Sequence, residues 1–445
     1  MKDLPRTIQD AVSVTRQLKL EYLWVDSMCI IQDNAEDKSA LLGQMHKIYA
    51  CGHVTIAASK AAKCTEGFLA PRYDVPGFSI PIRYPSASDS VPRLGSVILM
   101  PSSRRSVEPL VTRAWTLQES LLSRRILSYG NRQLRWYCAS GDEQCDGGVL
   151  DRNSANFASF QSLEETVIDY PRRRMEVKSL PHDPTSLPWL EIVEQYTMRG
   201  LSVSSDKLIA ISAVAQRLVS LTQGKWGRYY AGIWEERFFE QLLWAMSTGE
   251  ITKRPAEYRA PSWSWAAIDG RPKWPWTEHL VDAKISCKLL GVETETSKSE
   301  QSFGAVSAGK LRLFGRLKKA TWSADRRTIR DSKTQASVTG GSMQTFPDAL
   351  DDSAQETTVY ILEVARRSYI ADTMAAFNLR RRSHAGKYVA GLVLKHCGGK
   401  VYQRVGFIGL KSKKINTIVL ATGWDTVENK SWWSEGFNEM EITIT

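Results

Sequence analysis

The sequence is poor in the features that announce most membrane, secreted and nucleotide-binding classes. Its 445 residues contain no run of about 18 apolar residues, so no membrane-spanning helix is expected. The opening Met1-Lys2-Asp3-Leu4-Pro5 has no apolar leader. Seven cysteines are scattered, odd in number, and never spaced as CxxC. That pattern argues against a disulfide framework or a zinc site, and the expected setting is reducing and cytoplasmic. No pair of histidines has the spacing of a helical metal site, so no metal is expected. There is no GxGxxG, no GxxxxGK[ST] and no GxSxG, so neither a Rossmann or P-loop nucleotide site nor an α/β-hydrolase has motif support. No resident cofactor and no internal repeat is expected.

What is present suits a globular protein of two to three domains. Hydrophobic residues make up 42% and charged residues 24%, enough to build a core inside a charged surface. The formal charge of +11 is spread through short clusters such as Arg172-Arg173-Arg174 and Arg380-Arg381-Arg382. Clusters this short read as solvated surface rather than as nuclear-localisation signals, and nucleic acid is not an expected partner.

Along the chain, residues 1–145 alternate helical and strand patterns. Ile8, Ala11, Val12, Thr15 and Leu18 recur at helical spacing, as do Leu41, Met45, Ile48 and Tyr49. Tyr22-Leu23-Trp24-Val25 and His53 to Ala58 read as buried strands, which predicts an α/β layer with a parallel sheet. Residues 71–96 read as a loop, Val97 to Met100 as a strand, Thr112 to Leu122 as a helix, and Arg125 to Cys138 as a β-hairpin. The stretch from Gly141 to Gly148 is expected to end the first domain. Residues 146–275 read as helical, over Leu187–Met198, Asp206–Leu221 (capped by Ser205 or Asp206) and Tyr229–Met246. Pro261 to Ala266 alternates like a strand. Residues 276–445 read as β-rich, with candidate strands at 311–314, 358–362, 389–394, 405–408 and 442–444. A polar insertion at about 323–357 is expected to lack structure.

Three blocks carry a family resemblance. The first is Leu4-Pro5-Arg6-Thr7-Ile8-Gln9-Asp10-Ala11 with Tyr22-Leu23-Trp24-Val25-Asp26-Ser27-Met28-Cys29-Ile30-Ile31-Gln32-Asp33. The second is Met45, Ile48 and Tyr49 with Val54-Thr55-Ile56-Ala57-Ala58. The third runs Arg113-Ala114-Trp115-Thr116-Leu117-Gln118-Glu119-Ser120-Leu121-Leu122-Ser123-Arg124-Arg125-Ile126-Leu127. Together they resemble the fungal heterokaryon-incompatibility (HET) domain family over residues 4–138. Asp206-Lys207-Leu208, Tyr258 to Trp265 and Tyr402-Gln403-Arg404-Val405-Gly406 are similar to the later regions of long HET proteins. The family usually carries an upstream "YxALSYxWG" strand and turn. The chain starts just after that position, so either the sequence is truncated at its start or the domain lacks this strand, which would leave a sheet edge exposed.

The resemblance implies nonself recognition and regulated cell death, a TIR-like or flavodoxin-like N-terminal fold, protein partners and self-association. Through the distant likeness to TIR domains it also implies NAD as a conceivable substrate. On the predicted sheet, Asp26 stands where a strand ends, so Asp26, Cys29, Gln32 and Asp33 are expected along one rim. The bland alternatives are that Asp26 caps a turn and Cys29 is a small core residue. Trp115 and Glu119 lie four apart and share a helix face. Cleavage of a glycosidic bond needs a carboxylate near the ribose, for which Glu119 comes first and Asp26 second. Arg113, Trp115, Gln118 and Arg125 complete the candidate ligand-binding set, Arg125 as a bidentate phosphate holder. Against this stands a structural ion pair of Glu119 with Arg113 or Arg125.

Three functions therefore compete. They are a signalling module that kills by assembly, an NAD glycohydrolase, and a small-molecule enzyme built on Trp234, Trp244, Trp263 and Trp265. The second requires Asp26, Arg113 and Glu119 to meet. The third requires the four tryptophans to line a pocket rather than fill a core.

Overall fold

The computed structural model describes residues 3–72, 78–84, 93–99, 107–138, 143–146, 188–247, 251–274, 283–296, 303–323, 328–335, 343–352, 356–371, 384–410 and 436–445. The chain divides into two compact units, Met1–Thr166 and Val167–Thr445.

The first unit is mixed α/β. Helix α1 (Arg6–Gln17) forms where the 3.6-residue spacing predicts it, burying Val14 and Thr15. Asp10 is buried on the same helix. Its carboxylate accepts the backbone N–H of Phe68 at 2.7 Å and of Leu69 at 3.0 Å, and pairs with Arg6 at 3.2 Å. Gly67 lies against it at φ +71°, where a Cβ would stand 2.6 Å from the Asp10 carboxylate. Helix α2 (Asp26–Cys29) is a single turn, and α3 (Ala35–Cys51) follows it. Asn34 caps α3, its side-chain oxygen accepting from the N–H of Glu36 at 2.9 Å and Asp37 at 3.1 Å.

Strand β1 (Thr55–Ala57) pairs in parallel with β4 (Arg125–Tyr129). The crossover between them carries a separate antiparallel pair, β2 (Phe78–Tyr84) with β3 (Arg93–Leu99), and helix α4 (Trp115–Leu122). From β4 the sheet continues antiparallel through β5 (Leu134–Cys138) to β6 (Glu143–Cys145), in the order β1-β4-β5-β6. Ala57 and Ile126 centre a small core against which Leu110, Val111 and Tyr137 pack. The predicted hairpin at 125–138 is present in register Arg125↔Cys138 to Tyr129↔Leu134.

Two expectations for this unit fail. Tyr22 to Val25 is not a strand: Val25 has extended angles, yet no neighbour hydrogen-bonds to it as a ladder among the described residues. An apolar run favours a strand only where a partner edge is available. The described sheet is consequently mixed, with one parallel and two antiparallel pairings. The stretch read as loop at 71–96 holds β2 and the start of β3, because Phe78, Ile80 and Ile82 alternate across an open hairpin.

In the second unit α5 (Pro188–Thr197) and α6 (Ile209–Leu221) match the predicted helices. Neither Ser205 nor Asp206 caps α6. Both lie in a 3₁₀ turn, Ser204–Lys207, and the cap position is Leu208. Tyr229 to Met246 is not one helix. It breaks into β7 (Tyr229–Tyr230), β8 (Ile233–Trp234), α7 (Phe238–Leu242) and β9 (Ala245–Met246). Left-handed backbone at Ala231, Gly232 and Arg237 stops helix propagation there. A Cβ on Gly232 would stand 2.6 Å from the Trp265 indole nitrogen, so packing also demands glycine. The alternating Pro261 to Ala266 is a turn leading into a 3₁₀ helix, Trp265–Ala267, whose cap Ser264 accepts the Ala266 N–H at 3.0 Å.

Short β10 (Pro272–Lys273) pairs with β9. A nine-stranded sheet then forms from β11 (Lys284–Ile285), β12 (Lys288–Thr296), β13 (Val306–Ser323), β14 (Thr328–Asp331), β15 (Met343–Pro347), β16 (Thr357–Ala371), β17 (His384–Gly398), β18 (Val401–Leu410) and β19 (Asn438–Ile444). The 18-residue β13 pairs with β19 along its first half and β16 along its second. That closes a ring β13-β16-β17-β18-β19 around buried Leu311, Leu313, Leu362, Leu392, Phe407 and Ile442. All five predicted C-terminal strands lie within it. The insertion expected at 323–357 contributes β14 and β15, while residues 324–327, 336–342 and 353–355 lie outside the described residues.

Candidate functional site

Helices α3 and α4 pack against each other, and their contact assembles the candidate site. On α4, Leu117, Leu121 and Leu122 are buried, which turns Glu119 and Trp115 to a half-exposed face. The carbonyl of Glu119 accepts the Ser123 hydroxyl at 2.6 Å, and Ser123 bonds Thr55 of β1 at 2.6 Å. The C-terminal end of α4 is thereby tied to the sheet.

In the last turn of α3, the half-buried Tyr49 lies within electrostatic reach of Glu119 on α4. Burial pushes this phenol far above its ordinary range. The negative charges of Glu119 and Asp26 push it the same way, and the positive charge of Arg113 opposes them. Trp24 sits edge-on to the same ring, centroids 6.0 Å apart. The charges of Asp26, Arg113 and Glu119 thus all act on Tyr49, although the three lie 87 and 6 residues apart in sequence order.

The other predicted residues are placed as follows. Asp26 does not end a strand; it opens α2, exposed, and accepts the Ser27 N–H at 2.7 Å. Exposed Gln32 folds back onto the carbonyls of Asp26 at 3.2 Å and Ile30 at 3.1 Å, so it shapes the turn that presents Asp26. Asp33 is exposed in that turn. Cys29 is exposed rather than a core residue, its sulfur accepting the Val25 N–H at 3.5 Å. Gln118 is 1% exposed, and its amide oxygen has no hydrogen-bond partner among the described residues. It faces the interior, away from the surface that Glu119 shares. Arg125 is exposed and donates to the His53 carbonyl at 3.3 Å, which places it on the β1 approach. Tyr49 was absent from the sequence-derived set. It stands in the second block, where its helical spacing reads as ordinary packing and hides its hydroxyl.

In the second unit the later motifs meet in a buried polar scaffold. Arg404, fully buried, pairs with Asp348 at 3.0 Å and donates to the carbonyls of Leu242 at 2.6 Å and Trp244 at 2.5 Å. Its guanidinium lies 3.3 Å from the Trp244 ring centroid. Its own N–H donates to Ser262 at 2.9 Å. Lys207 donates to the Ile268 carbonyl at 2.5 Å and shares Asp269 with Arg259. Trp234, Trp244, Trp263 and Trp265 are each at most 1% exposed. The indoles of Trp244 and Trp265 donate to the carbonyls of Trp263 and Gly232. The four tryptophans are core anchors.

Among the described residues, no group of three or more His, Cys, Asp or Glu side chains is placed to hold a metal ion. No helix there is long and apolar enough to cross a membrane.

The first unit is therefore a mixed α/β module in which α3 and α4 pack against each other and present Tyr49, Trp115 and Glu119 half-buried. Residues 1–119 match the family model for heterokaryon incompatibility protein (HET), and the N-terminal part of the chain is a HET domain. The match takes in the first two sequence blocks and the third as far as Glu119. No curated protein and no solved structure matches the chain.

Proposed function

We propose that this chain is an effector of fungal heterokaryon incompatibility, in which the HET domain drives cell death after nonself contact. The observation that carries the reading is the match over residues 1–119. The protein would act in the cytoplasm, through protein partners and self-association. Induced expression of the full chain in a compatible fungal strain tests it. Growth arrest with uptake of a vital dye is expected, and normal growth at verified expression counts against it.

A second reading is favoured by the charges of Asp26, Arg113 and Glu119 all acting on Tyr49: the unit is TIR-like and hydrolyses NAD. The parallel β1–β4 pair with α4 in its crossover supports that layer architecture. Glu119 and Asp26 supply two negative charges where a ribosyl cation would form. The bond between nicotinamide and ribose C1′ breaks, its electron pair leaving with nicotinamide. Water then adds at C1′ and releases a proton. Arg113 is the group that could hold a phosphate. Incubating purified protein with NAD should release nicotinamide, and Glu119→Gln should abolish the release.

A further inference from the structure

We propose that the first unit carries a second polar site, at the carboxyl ends of β1 and β4, which takes the vicinal diol of a ribosyl group, with Glu108 accepting from its hydroxyls. Neither reading above uses these residues. The two strands run parallel from Thr55↔Ile126 to Ala57↔Ser128. Glu119 lies towards their amino ends, since Ser123 ties its carbonyl to Thr55, where β1 begins. At the opposite ends, where ligands bind in open α/β sheets, the chain places a different set of groups. The Ser59 and Ser128 hydroxyls bond each other at 2.7 Å. The Ser59 carbonyl accepts the Leu110 N–H at 3.4 Å, and the Tyr129 carbonyl accepts the Lys60 N–H at 3.0 Å. One Glu108 carboxylate oxygen accepts the Asn131 N–H at 3.3 Å, and a Cβ on Gly130 would collide with it. Residues 108–110 therefore lie against both strand ends. Glu108 is 7% exposed, yet its second oxygen is buried with no hydrogen-bond partner among the described residues. Arg135, also buried, stands directly opposite Ser128 in the β4–β5 ladder, on the same face.

A buried carboxylate oxygen left open is costly. Burial raises the pKa of this carboxyl, against the Asn131 N–H and the charge of Arg135. The open oxygen calls for a donor, and Arg135 on the same face disfavours a cation as that donor. The serine pair spends one of its two hydroxyl protons on itself and keeps the other to donate. The cluster thus offers an open acceptor beside a donor. Two adjacent hydroxyls, each able to give and take, match that pair, and a carboxylate on a ribose hydroxyl is the usual arrangement at such strand ends. Val107 and Asn131 are exposed on either side of the contact, so the cluster lies just below the surface.

The test titrates the ¹⁵N-asparagine-labelled full chain with methyl β-riboside and with adenosine, then with the 2-deoxy counterpart of each. The Asn131 N–H is the reporter, assigned by its loss in Asn131→Asp. At least one ribosyl compound should shift it saturably. Its 2-deoxy counterpart should bind about ten-fold more weakly or worse, the loss of one hydrogen bond to a charged group. Glu108→Gln and Ser59→Ala should each weaken binding on the same scale, with thermal melting confirming that they fold; should Glu108→Gln not fold, Ser59→Ala carries the comparison. The proposal is overturned by no saturable shift with either compound up to about 20 mM, by equal binding of the 2-deoxy forms, or by wild-type binding in the folded variants. Binding that Glu119→Gln abolishes and Glu108→Gln retains overturns it too. Nicotinamide release plays no part in the readout, so the NAD reading can fail while this site stands, and the reverse.

Discussion

Replacing Arg404 by alanine should be among the most destabilising single changes in the second unit. Arg404 and Asp348 are both at 0% side-chain exposure and 3.0 Å apart. Truncating the arginine leaves the Asp348 carboxylate buried without its counter-charge, a loss of about 3–5 kcal/mol. It also strips donors from the carbonyls of Leu242 and Trp244, each worth about 1–3 kcal/mol when left unsatisfied. These losses overlap, since one relaxation or one water can relieve more than one of them, and about 5 kcal/mol is a fair total. For a unit of this size that is roughly a 10 °C fall in Tm. Thermal melting followed by near-UV circular dichroism reads it, because Trp244 stacks on the guanidinium. The decisive comparison is the double variant Arg404→Met with Asp348→Leu. Removing both charges for apolar groups of similar size should recover most of the loss. A fall below about 1 kcal/mol in Arg404→Ala, or a double variant no better than the single, refutes the reasoning.

Other expectations follow from single sites. Gly67→Ala should destabilise the first unit by about 2 kcal/mol or more, combining a left-handed backbone with a collision on Asp10, and urea unfolding measures it. Lys207 is held down at about 7, first by burial and then by Arg259, with Asp269 opposing. Between pH 7 and 10.5 the unfolded chain therefore holds a proton that the folded one has released. Stability should rise with pH across that window, by up to about 1.4 kcal/mol per unit, and Lys207→Met should flatten the rise in a pH series of denaturant melts. Burial pushes the Cys287 thiol up to about 12, whereas Cys29, Cys51, Cys64 and Cys397 are exposed. A thiol reagent at neutral pH should label those four quickly and reach Cys287 only on unfolding.

The sequence by itself determined the helices at Arg6–Gln17 and Trp115–Leu122, the hairpin at 125–138 and the β-rich end of the chain. These elements are set by local periodicity and turn residues, which one segment carries alone. It also determined the HET match, because the three blocks are short local strings read in order along the chain. Tertiary structure decided the rest. Tyr22 to Val25 has strand composition, but a strand exists only with a bonded neighbour, and none pairs with it among the described residues. Tyr229 to Met246 has helical spacing, yet left-handed residues and the Trp265 indole against Gly232 break it. The candidate site divides the same way. Asp26, Arg113 and Glu119 were legible as chemistry-bearing residues in motif blocks. That their charges all act on Tyr49 depends on α3 packing against α4, a contact between segments about 70 residues apart that no local pattern encodes.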